Sequence, residues 1–175
     1  MTRPQLEHVL RAAGAISGVN DIIVIGSQAI LAVAGELPDE LLVSLEADLY
    51  PRDNPALADL IDGTIGELSP FHETFGYYAH GVGPETAVLP ADWNTRLLTL
   101  SNSNTNGVCG WCLHPGDIAI AKLAAGRPKD MQYLRVLFRS GLVSKSQVTR
   151  LIPTVPEAHR ILIEQRLQCL TQTGG

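Results

Sequence analysis

The 175-residue chain is 45% apolar, 18% charged and 5% aromatic, with a net charge of −5 from 18 acidic and 13 basic residues. This length and apolar content suit a single domain with its own core and exclude wholesale disorder. The acidic balance argues against non-specific DNA binding. No apolar run reaches the roughly 18–20 residues of a membrane span, and three cysteines do not make a disulfide framework. The opening Met1-Thr2-Arg3-Pro4-Gln5 lacks the apolar core of a signal peptide, so the expected location is cytoplasmic. Basic residues are sparse before residue 120 and gather after it, from Lys122 to Arg166, leaving room for a local anion site.

In chain order, Pro4 and the spacing of Leu6, Val9, Leu10 and Ala13 predict a helix over about 4–16. Asp21 to Ile25 is a β-branched run and reads as a buried strand, ended by Gly26-Ser27. Gln28 to Ala34 reads as helix, and Leu41 to Tyr50 as a second strand closed by Pro51. From 52 to 115 the chain is rich in Gly, Pro, Asn and Ser. A short helix is expected at Ala56–Ile61, with strands at Phe75–Val82, Thr86–Leu89 and Arg96–Leu100 and a turn at Ser101–Gly107. Helices follow: Asp117 is placed to cap Ile118–Ala125, Pro128 starts one running to Phe138, and Ser144–Leu151 and Glu157–Leu170 complete the set. The expected fold is mixed α/β (α+β). A small mixed sheet with helices packed on it occupies about 20–115, a helical C-terminal part about 116–172, and no linker divides them.

The chemistry concentrates in Val24-Ile25-Gly26-Ser27 and Ser44-Leu45-Glu46-Ala47-Asp48. A glycine after a buried strand lets the backbone turn sharply and approach a ligand. Ser27 then begins a helix, where unpaired N–H groups favour phosphate. Glu46 and Asp48, two apart on a strand, project from one face. Two adjacent carboxylates repel unless a cation lies between them, and Mg²⁺ held by carboxylates and substrate phosphates is the usual resolution. Each element alone is ordinary turn or edge-strand chemistry. In this order they follow the logic of phosphoryl and nucleotidyl transfer.

The stretch Ile25–Tyr50 resembles the nucleotidyltransferase superfold of DNA polymerase β type, in which a hydrophobic-Gly-Ser element precedes an acidic-x-acidic strand. It is especially similar to the minimal bacterial nucleotidyltransferases of toxin–antitoxin and abortive-infection systems, which carry a Ser or Thr where Ser44 stands. The run Asp117 to Asp130 looks like a helical element of the same group. Phe71 to Tyr78 resembles a segment of a nucleotidyltransferase-like family with no assigned activity. The resemblance implies transfer of a nucleoside monophosphate from a nucleoside triphosphate, with Mg²⁺ on Glu46 and Asp48 and a two-metal site as an option. Gly26 and Ser27 would hold phosphates, and Lys122 and Arg127 would add positive charge there; for Asp130 the residues leave open orienting Lys122 from behind, capping the helix or forming a surface ion pair. The implied acceptor is a tRNA end or a partner protein's side chain within a toxin–antitoxin pair.

Two departures stand out. The first carboxylate is Glu46 rather than Asp, and the third carboxylate common in the superfold has only candidates here: Glu85 and Asp92 beside the expected Thr86–Leu89 strand, and Glu67. Without a third carboxylate, the alternative is an inactive protein of this fold that binds nucleotide or a partner. A second alternative is a thiol-redox or zinc protein built on Cys109 and Cys112, with His114, His159 or Cys169 as further ligands. His72 and His80 bracket Phe71, Phe75, Tyr77 and Tyr78, rings on which a base could stack or beside which a histidine could act as base.

Overall fold

The computed structural model describes residues 1–172, and its backbone divides into two compact units. The first comprises Met1–Thr86 and Leu97–Leu113. Its first helix, α1 (Arg3–Ser17), begins with Arg3-Pro4 in the first turn and ends at Gly18, whose left-handed φ of 70° lets its N–H reach Gly14 O at 2.8 Å. Leu6, Val9, Leu10 and Ala13 form the buried face that the spacing predicts.

Five strands make one mixed sheet, in the order β3-β2-β1-β5-β4. They are β1 (Asp21–Val24), β2 (Glu46–Pro51), β3 (Tyr78–Gly81), β4 (Leu98–Leu100) and β5 (Cys109–Cys112). The central strand β1 runs antiparallel to β2 and parallel to β5. Its Ile22, Ile23 and Val24 are all buried, as expected of a strand covered on both faces. Strand β2 is parallel to β3, and β5 is antiparallel to β4. The helix α2 (Ala58–Ile65) packs on β3 at close range: the Gly81 N–H donates to Asp62 Oδ1 at 3.0 Å, and a Cβ at Gly81 would overlap the Ala58 carbonyl. The asparagine-rich turn between β4 and β5 is used in full. Asn102 and Asn104 donate to the two carboxylate oxygens of buried Glu7 at 2.8 and 2.9 Å.

Several expected elements differ. Gln28–Ala34 does not form an α-helix; Ser27–Ala32 is a 3-10 helix. Strand β2 begins at Glu46, not Leu41. Pro38-Asp39 starts a 3-10 turn that takes the Leu41 and Leu42 N–H groups, and the next residues, including exposed Val43 and Leu45, stay irregular. Phe75 ends a short helix, α3 (Pro70–Phe75), instead of beginning a strand, because Ser69 caps it and Gly76 turns left-handed. Thr86–Leu89 is not a strand: Pro84–Thr86 forms a 3-10 turn, and Pro84 and Pro90 remove donors on either side.

The second unit comprises Ala87–Arg96 and the chain from His114 onward. Its helices are α4 (Pro115–Ala125), α5 (Pro128–Arg139), α6 (Lys145–Leu151) and α7 (Glu157–Gln172). Helix α4 contacts all three others, which accounts for its apolar surface nearly all round. Arg166 on α7 donates to the Leu123 and Ala124 carbonyls at 2.6 and 2.7 Å, satisfying the end of α4 where Gly126 turns left-handed. Asp117 is not the cap of α4. His114 is, its Nδ1 accepting the Gly116 N–H at 3.1 Å, while Asp117 is fully buried and grips Arg96 at 2.7 and 3.1 Å. Among the described residues no helix is long and apolar enough to cross a membrane.

Candidate nucleotide and metal site

The alternation of β2 decides the site. Ala47 and Leu49 are fully buried, so Glu46 and Asp48 take the opposite face. In β3, Ala79 is buried and Tyr78 and His80 point the other way. The parallel register sets Glu46 opposite Tyr78 and Asp48 opposite His80, so the four side chains share one surface. The Tyr78 hydroxyl donates to Glu46 Oε2 at 3.1 Å, and His80 Nδ1 lies 2.9 Å from Asp48 Oδ1. Burial, then the charge and hydrogen bond of Glu46, push the Tyr78 phenol up to about 12, so it remains a donor at neutral pH.

Gly26 reaches this surface from β1. The Ile25 N–H donates to Asp48 O at 2.9 Å, and the Asp48 carboxylate lies directly over Gly26, where a methyl group would overlap it. The φ of Gly26 is −85°, so close approach, and not an unusual backbone conformation, demands glycine here. Ser27 follows at the first turn of the 3-10 helix. Ser44 proves to be the device that starts β2: its hydroxyl accepts the Glu46 N–H at 3.3 Å and donates to Glu46 O at 3.2 Å.

Glu46, Asp48 and His80 offer ligand atoms that all lie within 4.8 Å of one another. Two carboxylates and an imidazole are donors for a small divalent cation, so the residues fit the metal that a phosphoryl-transfer site needs. None of the candidate third carboxylates joins this group among the described residues. Asp92 is held by Arg96 at 2.6 Å in the second unit. Glu85 stands over Gly83, and Glu67 adds only its charge near Tyr78. The residue that does join the acid pair is His80, which stands beside the aromatic rings in the sequence and comes opposite Asp48 through the register of β2 and β3.

Three of those rings, Phe71, Phe75 and Tyr77, pack with His8. His8, Phe71, Phe75 and Tyr77 form one aromatic cluster with centroids 4.7–6.1 Å apart, and His8 Nδ1 bonds the Tyr77 hydroxyl at 2.8 Å. His72 lies against Tyr78 at 4.5 Å.

In the second unit, Lys122, Arg127 and Asp130 are brought together. Asp130 is fully buried and accepts from Lys122 Nζ at 3.1 Å and from the Arg127 backbone N–H, Nε and Nη2 at 3.3, 2.6 and 3.2 Å. Burial would raise the Asp130 carboxyl, but its bonds to Arg127 and the Lys122 charge outweigh this and hold it below the usual range. Burial pulls Lys122 down against the opposing effect of Asp130. The ammonium also lies 4.3 Å over the Tyr133 ring. The phosphate role of Lys122 and Arg127 rests on the resemblance; the structure shows an ion cluster that ties α4 to the start of α5.

The Cys-x-x-Cys reading fails on geometry. Cys109 and Cys112 are three apart on β5 and point to opposite faces. Cys112 is fully buried, and burial pushes its thiol up to about 12. Neither cysteine belongs to a metal-ligand group among the described residues.

A mixed sheet whose central strand is followed by Gly26-Ser27, with Gly26 packed on Asp48 of the acid pair in β2, is consistent with a nucleotidyltransferase fold. Residues 4–165 match the family model described as "Nucleotidyltransferase of unknown function (DUF6036)", and the chain belongs to that family. No curated protein and no solved structure matches it.

Proposed function

We propose that the protein transfers a nucleoside monophosphate from a nucleoside triphosphate to a hydroxyl of an RNA end or a protein side chain, in a Mg²⁺-dependent reaction. One observation carries this reading: the Asp48 carboxylate lies on the Gly26 backbone, which joins the phosphate-binding turn to the acid pair. In the reaction the acceptor oxygen bonds to the α-phosphorus and the bond to the departing pyrophosphate breaks. Gly26 and Ser27 offer backbone N–H groups and a hydroxyl to the phosphates. Glu46 and Asp48 hold the cation, and Tyr78 steadies Glu46 through its hydroxyl. When bound, Mg²⁺ neutralises phosphate charge and lowers the pKa of the attacking hydroxyl. The acceptor, a tRNA end or a partner protein's side chain, is the one the resemblance suggests. Membership of a toxin–antitoxin pair is the biological setting that the resemblance suggests.

The second reading, a nucleotide- or partner-binding protein without turnover, draws on the absence of Glu67, Glu85 and Asp92 from the Glu46, Asp48 and His80 group among the described residues. Incubation with each labelled nucleoside triphosphate, Mg²⁺, total tRNA and cell lysate separates the two. Transfer by the wild type, lost by at least about a hundredfold in the Glu46→Ala/Asp48→Ala protein, supports the transferase. Magnesium-dependent nucleotide binding without transfer supports the second reading, and neither binding nor transfer overturns both.

A further inference from the structure

The acid pair has a nitrogen donor built into its neighbouring strand. His80 is opposite Asp48 by register, its Nδ1 is 2.9 Å from Asp48 Oδ1, and its side chain is 51% exposed. Tyr78, the other residue of β3 on this face, donates to Glu46 Oε2. It thus occupies the outer position from which a hydrogen bond orients a metal-binding carboxylate. A carboxylate in place of His80 would crowd a third negative charge against two others. An imidazole supplies a nitrogen donor at the same point.

We propose that His80 is the third ligand of the cation held by Glu46 and Asp48, and that it makes the site favour Mn²⁺ over Mg²⁺. This rests on the reading of Glu46 and Asp48 as metal ligands. Mg²⁺ demands oxygen donors and gives up its waters reluctantly, whereas Mn²⁺, the weakest binder of the first-row divalent series, still tolerates one imidazole among carboxylates better than Mg²⁺ does. Binding exchanges the Asp48–His80 hydrogen bond for two bonds to one ion, so the strand register that creates the contact also creates the site.

The test uses Mn²⁺ as the probe, added to the whole protein alone and with a non-hydrolysable ATP analogue. Free Mn²⁺ is counted by electron paramagnetic resonance, and bound Mn²⁺ is examined for spin-echo modulation from a coordinated nitrogen. Mg²⁺ competition gives the selectivity. Wild-type protein should show imidazole modulation that changes when its histidines carry ¹⁵N. His80→Asp should still bind Mn²⁺, lose the modulation, and lose about tenfold of its Mn²⁺-over-Mg²⁺ preference. Because His80 is exposed, His80→Ala and His80→Asp leave the core intact, which circular dichroism verifies. Mn²⁺ binding that needs Glu46 and Asp48 but shows no imidazole modulation, with selectivity unchanged in His80→Ala, overturns this inference alone. No binding of either cation, with or without the analogue, overturns the metal reading of the acid pair as well.

Discussion

Two carboxylate centres in this protein have opposite fates. Asp130 is fully buried, and the chain surrounds it with its own cations, Lys122 and Arg127. Glu46 and Asp48 sit half-buried on a sheet face, where they meet a phenol and an imidazole. Breaking a buried ion pair by removing one partner is strongly destabilising, and here the fold supplies Asp130 with two cations. Acid groups facing solvent can be left for a cation from outside. The first centre is therefore expected to carry stability, and the second function.

The largest effect should come from reversing those roles. Asp130→Ala leaves Lys122, whose side chain is 15% exposed, without its counter-ion, and should cost about 3–5 kcal/mol in urea denaturation. Glu46→Ala/Asp48→Ala should stay within about 1 kcal/mol of wild type, since it removes neighbouring like charges from a partly exposed face. Equal losses at the two centres would break the contrast.

A smaller effect sharpens it. Gly26→Ala places a methyl on the Asp48 carboxylate. It should lower stability by about 1–3 kcal/mol and weaken divalent-cation binding in calorimetry. Full retention of cation binding would show that Asp48 is not a ligand in the position observed.

The smallest effect concerns pH. Burial holds His114 below its ordinary value, with Asp117 opposing and Arg96 assisting. The unfolded chain therefore binds the proton more readily, and stability is lost as pH falls through about 6.5 towards the lower folded value. His8 shifts in the same direction, chiefly through burial. His114→Asn keeps a side-chain acceptor for the Gly116 N–H while removing one of these titrations. Its stability should fall less than that of wild type between pH 7 and pH 5; an unchanged slope in thermal melts would exclude His114 as a contributor.

Much of this was legible in the amino-acid order. The periodicity of α1, the β-branched run of β1 and the proline and serine starts of α5 and α6 are local signals, and the helices and strand formed where those signals stood. Glu46 and Asp48 could be assigned to one face because strand alternation is a local rule. Local signals failed where backbone donors were taken by nearby turns, as at Leu41–Leu45 and Thr86–Leu89. They failed again at Asp117, a good cap by type, whose carboxylate was claimed by Arg96 from 21 positions earlier.

The sequence by itself determined that a Gly-Ser turn and an acid pair follow one another in a mixed α/β chain, because hydrophobic period, glycine and proline act over a few residues. Only the tertiary structure decided what completes each centre. His80 joins Asp48 from 32 residues away through the register of two parallel strands, and Cys109 and Cys112 are parted by the pleat of one strand. Lys122 is held by Asp130 across a helix junction. Register and helix packing are settled by burial of the whole core, Ala47, Leu49 and Ala79 among it, and no short segment carries that information.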